Sequence, residues 1–481
     1  MKGKINNQRL DTKLKEDIFI IYFFAAIGTL FAHLTANDNI GFFIALIGAL
    51  YGIVRSIRSN KTAIFMMFTL AFDYFGIVPW MLIGSGTLHW YDINILFSVL
   101  LFVKCIRMKK GSRFGIVFVF YYIFMFIACY QSKHIYGQGF LSTVGTARTT
   151  LVFIGFWPLL GLIRNGIVKK EDFLHLFDLV CKIAVICYIV QAIGVNAGIP
   201  ITYLPTKVRW GTRIYINFFF VIVFYIYNLY YLLYEKKRKN IVWLLLCLLS
   251  IVGIAQSRSS AAYITVISAI AVLISLRPKK ILIYGTLGVA MVIGLLSVPS
   301  SREVIVTAVL ESSGEKEGSI SYRFMEQRYF NNLLKGHEAW GIGIPNNHAD
   351  KSVTYSGKTI NWETQKFGEY YLSDLGAYKI KYQFGIYAYV LYFAYLIYVC
   401  LLTVKYRAKN VMAFTALFSS LYLIINSSLL EILTREPFVF MLLVVFAEFG
   451  RAEGLRRKSI AVNPSGIQKK VIGKAEECAA L

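Results

Sequence analysis

Long apolar runs, broken by short polar stretches, recur along most of the chain. Runs of about 15–20 residues approach the roughly 20 needed to cross about 30 Å of hydrocarbon. No soluble core could hide so many of them. Spanning helices can, because each satisfies its own backbone hydrogen bonds within lipid. The pattern predicts about fourteen helices, within a range of 12–14, at 18–34, 40–54, 62–83, 89–103, 114–130, 148–163, 174–194, 214–234, 241–257, 261–276, 281–298, 383–404, 411–430 and 436–450. Several are short for a full span, which implies tilt, kinks or re-entry. The organisation that follows is a polar N-terminus (1–17), eleven helices (18–298), a large loop (299–382), three helices (383–450) and a tail (451–481). The fold class is therefore all-α and polytopic.

Charge then sets direction. The net charge is +25, and 33 of the 51 Lys and Arg residues fall on alternate connections, counting both termini. Basic connections stay in the cytoplasm, so both termini are expected there and the large loop outside. The same placement makes the charge a topology signal and argues against a nucleic-acid surface. Hydrophobic residues make up 57% and charged residues 16% of the chain, against about 25% charged in soluble domains. The basic start MKGKINNQRLDTKLKED leads into an apolar run with no small-residue cleavage site, as in an uncleaved first helix. Seven cysteines form no CxxC pair and no disulfide framework.

Candidate chemistry lies on the outer side. Arg209 and Arg213 fall in KVRWGTR, just ahead of a helix, and Arg258 in the turn QSRSS. The two helices around that turn share only Ile241 to Leu276. At about 1.5 Å per residue each reaches roughly 24 Å, so the turn is expected below the membrane surface. An arginine there needs a partner or a wet cavity, and arginine grips phosphate bidentately. Anchoring to lipid headgroups is the plainer alternative.

The large loop is neutral, with ten basic and ten acidic residues, and too long for a simple connector. It carries ISYRFMEQRYFNNLLKGHEAWGIGI, with Arg323 and Arg328, an amphipathic pattern at Tyr322, Met325 and Tyr329, and a helix break at Gly341, Gly343 and Pro345. His337 and His348 are candidate acid–base groups. So is Asp374, ahead of the return to the membrane, where an N-cap is the alternative. Glu431 and Arg435 share the last outer turn and are expected to pair, and Asp73 is expected in mid-span. No HExxH, Walker GxxxxGK[ST], DxD or GxSxG motif occurs. No metal or cofactor is therefore expected.

From Val208 to Phe449 the chain resembles the bacterial O-antigen and exopolysaccharide polymerases and the related O-antigen ligases. Four features in order carry the likeness: KVRWGTRIYINFFF, QSRSSAAYITVISAIAVLI, SYRFMEQRYF followed by WGIGIPNNH, and SDLGAYKIKYQFGIYAYVLY. The resemblance implies a GT-C-like helical fold and a glycosyltransferase of the inner membrane. Its donor would be a glycan on undecaprenyl diphosphate, passed to the next lipid-linked repeat unit for O-antigen, capsule or secreted polysaccharide. A flippase and a chain-length regulator are the implied partners. Ligases, which transfer to the lipid A-core of lipopolysaccharide, usually show a His-Asn-like pair where this chain reads Glu369-Tyr370-Tyr371-Leu372-Ser373-Asp374. That difference favours a polymerase. In this reading Arg209, Arg213 and Arg258 hold diphosphate, Arg323, Arg328 and Arg435 contact donor or acceptor, and His337, His348 or Asp374 is the base. A transporter of lipid-linked glycans is the rival class, but no two similar halves are present.

Overall fold

The computed structural model describes residues 12–462 apart from 84–85, 109–111, 200, 209–211, 276–318, 347–354, 362–365, 371, 409 and 429. In chain order the described helices are α1 (Thr12–Thr35), α2 (Asp38–Arg58), α3 (Asn60–Ala71), α4 (Trp90–Lys104), α5 (Ile116–Tyr136), α6 (Phe140–Thr146), α7 (Phe156–Arg164), α8 (Lys170–Asn196), α9 (Phe218–Leu233), α10 (Asn240–Leu248), α11 (Arg258–Ser275), α12 (Ser319–Leu333), α13 (Tyr378–Thr403), α14 (Val411–Ile425) and α15 (Pro437–Val462). Three antiparallel hairpins are the only sheet among the described residues: β1 (Met81–Ile83) with β2 (Gly86–Leu88), β3 (Thr206–Val208) with β4 (Thr212–Ile214), and β5 (Tyr355–Asn361) with β6 (Lys366–Glu369).

This is the architecture of a multi-pass membrane protein. Among the described residues five helices are long and apolar enough to cross a bilayer: α1, α2, α5, α8 and α13 with its 3₁₀ extension to Tyr406. A sixth candidate, 140–164, is bent by 74° at its break. Each expected segment among the described residues carries helix; the segment 281–298 lies outside them.

Burial explains the layering. On α1 the covered positions are Leu14, Asp17, Ile21, Ala25, Gly28 and Ala32, one face at helical spacing. Phe19, Phe23, Leu30 and Leu34 stay uncovered, as lipid-facing residues should. Gly28 and Gly41 let α1 and α2 touch backbone to backbone, since a Cβ on Gly28 would meet the Gly41 carbonyl oxygen at 2.5 Å. By contrast α3, α9, α14 and the first half of α15 are covered all round, so they form the centre. Of these, α9 and α14 are short: 16 and 15 residues give about 24 and 22 Å.

The third helix departs from expectation. It stops at Ala71, and residues Asp73 to Gly76 all take positive φ, from 49° to 76°. Asp73 therefore lies in a left-handed turn leading to the β1–β2 hairpin and not in mid-span. Bulky residues in that region carry strain. We call this side of the bundle the hairpin end. The starts of α4, α9, α11 and α15 and the ends of α8 and α14 gather there.

A further layer covers the start of α13. The WGIGIP stretch does not end α12, which stops earlier at Leu333. It docks instead: Ile342 N–H donates to Tyr382 O at 2.7 Å, Gly343 N–H to Gln383 O at 3.2 Å, and Ile386 N–H to Glu338 O at 2.8 Å. Gly385, at φ 85°, kinks α13 to receive it, and a Cβ there would overlap the Ala339 carbonyl. On α12 the buried face is Glu326 and Phe330, continued by Leu334 beyond the helix, whereas Met325 is exposed. Phe330, Leu334, Ile342, Tyr370, Leu372, Leu375 and Tyr382 form the small core of this layer.

Candidate functional site

Three helix N-termini meet at the hairpin end. Glu436, just before α15, accepts a hydrogen bond from Phe219 N–H, in the first turn of α9, at 3.4 Å through Oε1. Tyr422 Oη, near the end of α14, accepts from Asn426 Nδ2 at 3.0 Å and bonds Ser260, in the first turn of α11. Ser257 and Ser260 bond each other at 2.6 Å. Each helix start presents the positive end of its dipole and free N–H groups. Anions gather at such ends.

Cationic residues stand at the same three starts. Arg258 is the first residue of α11. Arg435, two residues ahead of α15, lies 5.8 Å from the Phe218 ring centroid. Arg213 on β4, five residues before α9, stacks at 4.5 Å over Tyr215, and the hairpin register sets Lys207 beside it. Against them stands one buried acid. Glu436 is 7% exposed, and its Oε2 has no hydrogen-bond partner. A buried carboxylate oxygen without a donor is costly and marks a place where a ligand group or proton completes the structure.

No protein-family model matches this chain, and no curated protein matches it either.

The other expected residues distribute as follows. Arg209 and His348 lie outside the described residues. Arg323 and Arg328 both lie on α12, half-buried and exposed respectively. α12 packs on the 3₁₀ turn Leu372–Leu375, which carries Asp374. Two residues beyond that turn, Ala377 N–H donates to Ser427 O, in the connection between α14 and α15, at 2.7 Å. His337 belongs to the docked stretch: its carbonyl accepts from Gly341 N–H at 2.8 Å. The structure thus gathers Arg213, Arg258 and Arg435 at joined helix starts and leaves Arg323, Arg328, His337 and Asp374 in the covering layer. Glu431 does not pair with Arg435. Both its carboxylate oxygens go to Thr434, to N–H at 2.6 Å and Oγ1 at 2.7 Å, which closes the turn locally.

Sequence reasoning missed Glu436, although an acid between Arg435 and a helix-starting Pro437 at membrane depth was a visible signal. It also missed a second group around β1–β2. Asp73 Oδ1 accepts from Tyr91 N–H at 3.0 Å, and Oδ2 lies 3.7 Å from His89 Nδ1. His89 Nε2 is 3.0 Å from Thr87 Oγ1. Arg148 donates to Tyr91 Oη at 3.0 Å and to Thr87 O at 3.2 Å, with Asp92 at 3.4 Å. The His89 ring contacts Trp80 and Tyr91, with centroids at 4.4 and 4.8 Å. Among the described residues no group of three or more His, Cys, Asp or Glu could hold a metal ion.

Proposed function

We propose that this chain is a polysaccharide polymerase. It transfers a growing glycan from undecaprenyl diphosphate onto a lipid-linked repeat unit at the outer face of the cytoplasmic membrane. The observation that carries the reading is the meeting of three arginine-bearing helix starts beside the buried Glu436. In the reaction an acceptor hydroxyl oxygen attacks the anomeric carbon, and the carbon–oxygen bond to phosphate breaks. The electron pair leaves with the lipid diphosphate, and the hydroxyl proton goes to a base. Fixed cations and helix dipoles aimed at the departing charge supply the electrostatic stabilisation. Arg213, Arg258 and Arg435 do this here, with Arg209 alongside. Glu436 holds the α9 start and keeps the arginines from repelling one another.

The finer architecture belongs to the same proposal. The hairpin end faces outward, both termini lie in the cytoplasm, and the helices number about fourteen in a GT-C-like arrangement. Support comes from the opposite end, where Arg55, Lys61, Lys104 and Arg164 gather, as basic connections do on the cytoplasmic side. Apolar side chains on the outer helices leave room for a polyprenyl tail. The aromatic covering layer (Trp340, Tyr370) suits sugar rings, and Arg323 and Arg328 suit a charged glycan. A flippase and a chain-length regulator are the proposed partners.

A second reading, transport of lipid-linked glycans, draws on the broken span at 140–164. One assay separates the two. Purified protein in detergent is given an undecaprenyl-diphosphate-linked repeat unit, with no nucleotide, metal or lipid A-core. The polymerase reading expects a ladder of products that Arg258→Ala abolishes. No ladder, but movement of the same lipid across a liposome bilayer, would establish the transporter instead.

A further inference from the structure

The group around β1–β2 has more polar atoms than capping needs. Asp92 Oδ2 accepts His89 N–H at 3.0 Å and Asp73 Oδ1 accepts Tyr91 N–H, so each acid already spends one oxygen on the start of α4. That much is a helix cap. Beyond the caps, Asp73 Oδ2 faces His89 Nδ1 at 3.7 Å, and the Trp80 indole N–H is buried with no hydrogen-bond partner. The imidazole stacks on Tyr91 and packs at a tilt against Trp80, which restricts its orientation. His89 is 16% and Asp73 19% exposed, enough for a ligand to reach them. Phe72, next to Asp73, packs at 4.2 Å on Phe220 and 5.3 Å on Phe438, which flank the Glu436 group. Phe72 thus ties the turn that carries Asp73 to the helix starts around Glu436.

We propose that His89, positioned by Asp73, is the general base of the transfer, an inference that rests on the polymerase reading. Geometry points to it: a base within hydrogen-bond reach of a hydroxyl, held by a carboxylate at its other nitrogen. Thr87 Oγ1, 3.0 Å from Nε2, occupies the place that the acceptor-sugar hydroxyl takes. The acceptor oxygen forms the bond to the anomeric carbon while its proton passes to His89 Nε2, and the lipid diphosphate departs with the electron pair. The free indole N–H of Trp80 donates to a ring or hydroxyl oxygen of the acceptor. The charged and titratable groups facing His89 are Asp73 from the left-handed turn, Tyr91 and Asp92 from α4, and Arg148 from the 3₁₀ segment 148–155.

The test uses full-length purified protein and the undecaprenyl-diphosphate-linked repeat unit, with kcat and KM measured separately. His89→Ala and the bulkier His89→Gln are expected to lower kcat by about a hundredfold or more, the usual worth of a positioned base, with little change in KM. Asp73→Asn, which keeps the size of the side chain but not the carboxylate that orients the imidazole, is expected to lower kcat by about tenfold at unchanged KM. A merely structural role would lower the yield of folded protein without lowering kcat per folded molecule. Wild-type kcat in both His89 variants, or in Asp73→Asn, would overturn the assignment while leaving the polymerase standing. A wild-type protein that makes no polymer would overturn both.

Discussion

The two ends of the bundle handle buried charge differently. At the end away from the hairpin, the buried acids and Lys104 are satisfied by neighbouring side chains and carbonyls. Asp17, 1% exposed, accepts from Arg55 Nε at 2.8 Å, Tyr51 Oη at 3.0 Å and Thr62 Oγ1 at 2.7 Å. Glu448 accepts from Arg164 and from Ser112 Oγ, both at 2.8 Å. Lys104 donates to Ser56 O, Ile57 O and Asn60 Oδ1, each at 3.0 Å. At the hairpin end Glu436 Oε2 and Trp80 Nε1 are buried without a hydrogen-bond partner, and His89 Nδ1 stands 3.7 Å from Asp73 Oδ2. Closed networks hold helices together; in the proposed reading the open carboxylate at the hairpin end is completed by substrate. On that reading the contrast separates residues that fold the protein from residues that act.

That separation can be broken by substitution. The largest effect is expected at Gly385, where φ of 85° and the overlap with Ala339 exclude any side chain. Gly385→Ala should cost about 3 kcal/mol or more and expose the 338–343 amides to hydrogen exchange. Gly137, at φ 65° with open space around it, should lose only about 1 kcal/mol on the same change. Next comes Asp17→Ala. Breaking a fully buried pair costs roughly 3–5 kcal/mol, but Arg55 is 31% exposed, so about 2 kcal/mol is expected from denaturant unfolding. Output per folded molecule should not change. Glu436→Gln should show the reverse: roughly tenfold less polymer, about 1.4 kcal/mol in the barrier, at nearly unchanged stability. Loss of stability without loss of output there would erase the contrast. The smallest effect belongs to Lys182→Gln, which removes an i,i+4 pair with Asp178 at 2.5 Å and should cost less than about 0.5 kcal/mol.

Most of the helical layout was legible because lipid imposes it. A run such as Ile18 to Leu34 has no other stable state. The turn at QSRSS was legible for the same reason, since α10 and α11 are too short for much else. What escaped were places where tertiary contacts override local pattern. Apolar residues around Asp73 read as one span, yet the chain turns left-handed there so that Asp73 can cap α4. WGIGIP read as a breaker, because the glycines' partner, the kink at Gly385, lies about forty residues on. On α12, Tyr322, Met325 and Tyr329 matched a helical stripe, but Phe330 and Leu334 found the apolar partner, Tyr382. Arg213, Arg258 and Arg435 were identified singly. Contacts between segments distant in sequence, Phe219–Glu436, Phe219–Tyr422 and Tyr263–Tyr422 among them, join their helices.

The most direct test of the central claim is binding of undecaprenyl diphosphate itself to the detergent-purified protein. The three helix starts predict saturable binding that weakens at least tenfold in Arg258→Ala, a loss of about 1.4 kcal/mol, and stays unchanged in Arg164→Ala at the other end. Equal binding by the wild type and Arg258→Ala would contradict the site, and no binding by the wild type would contradict the function proposed for it.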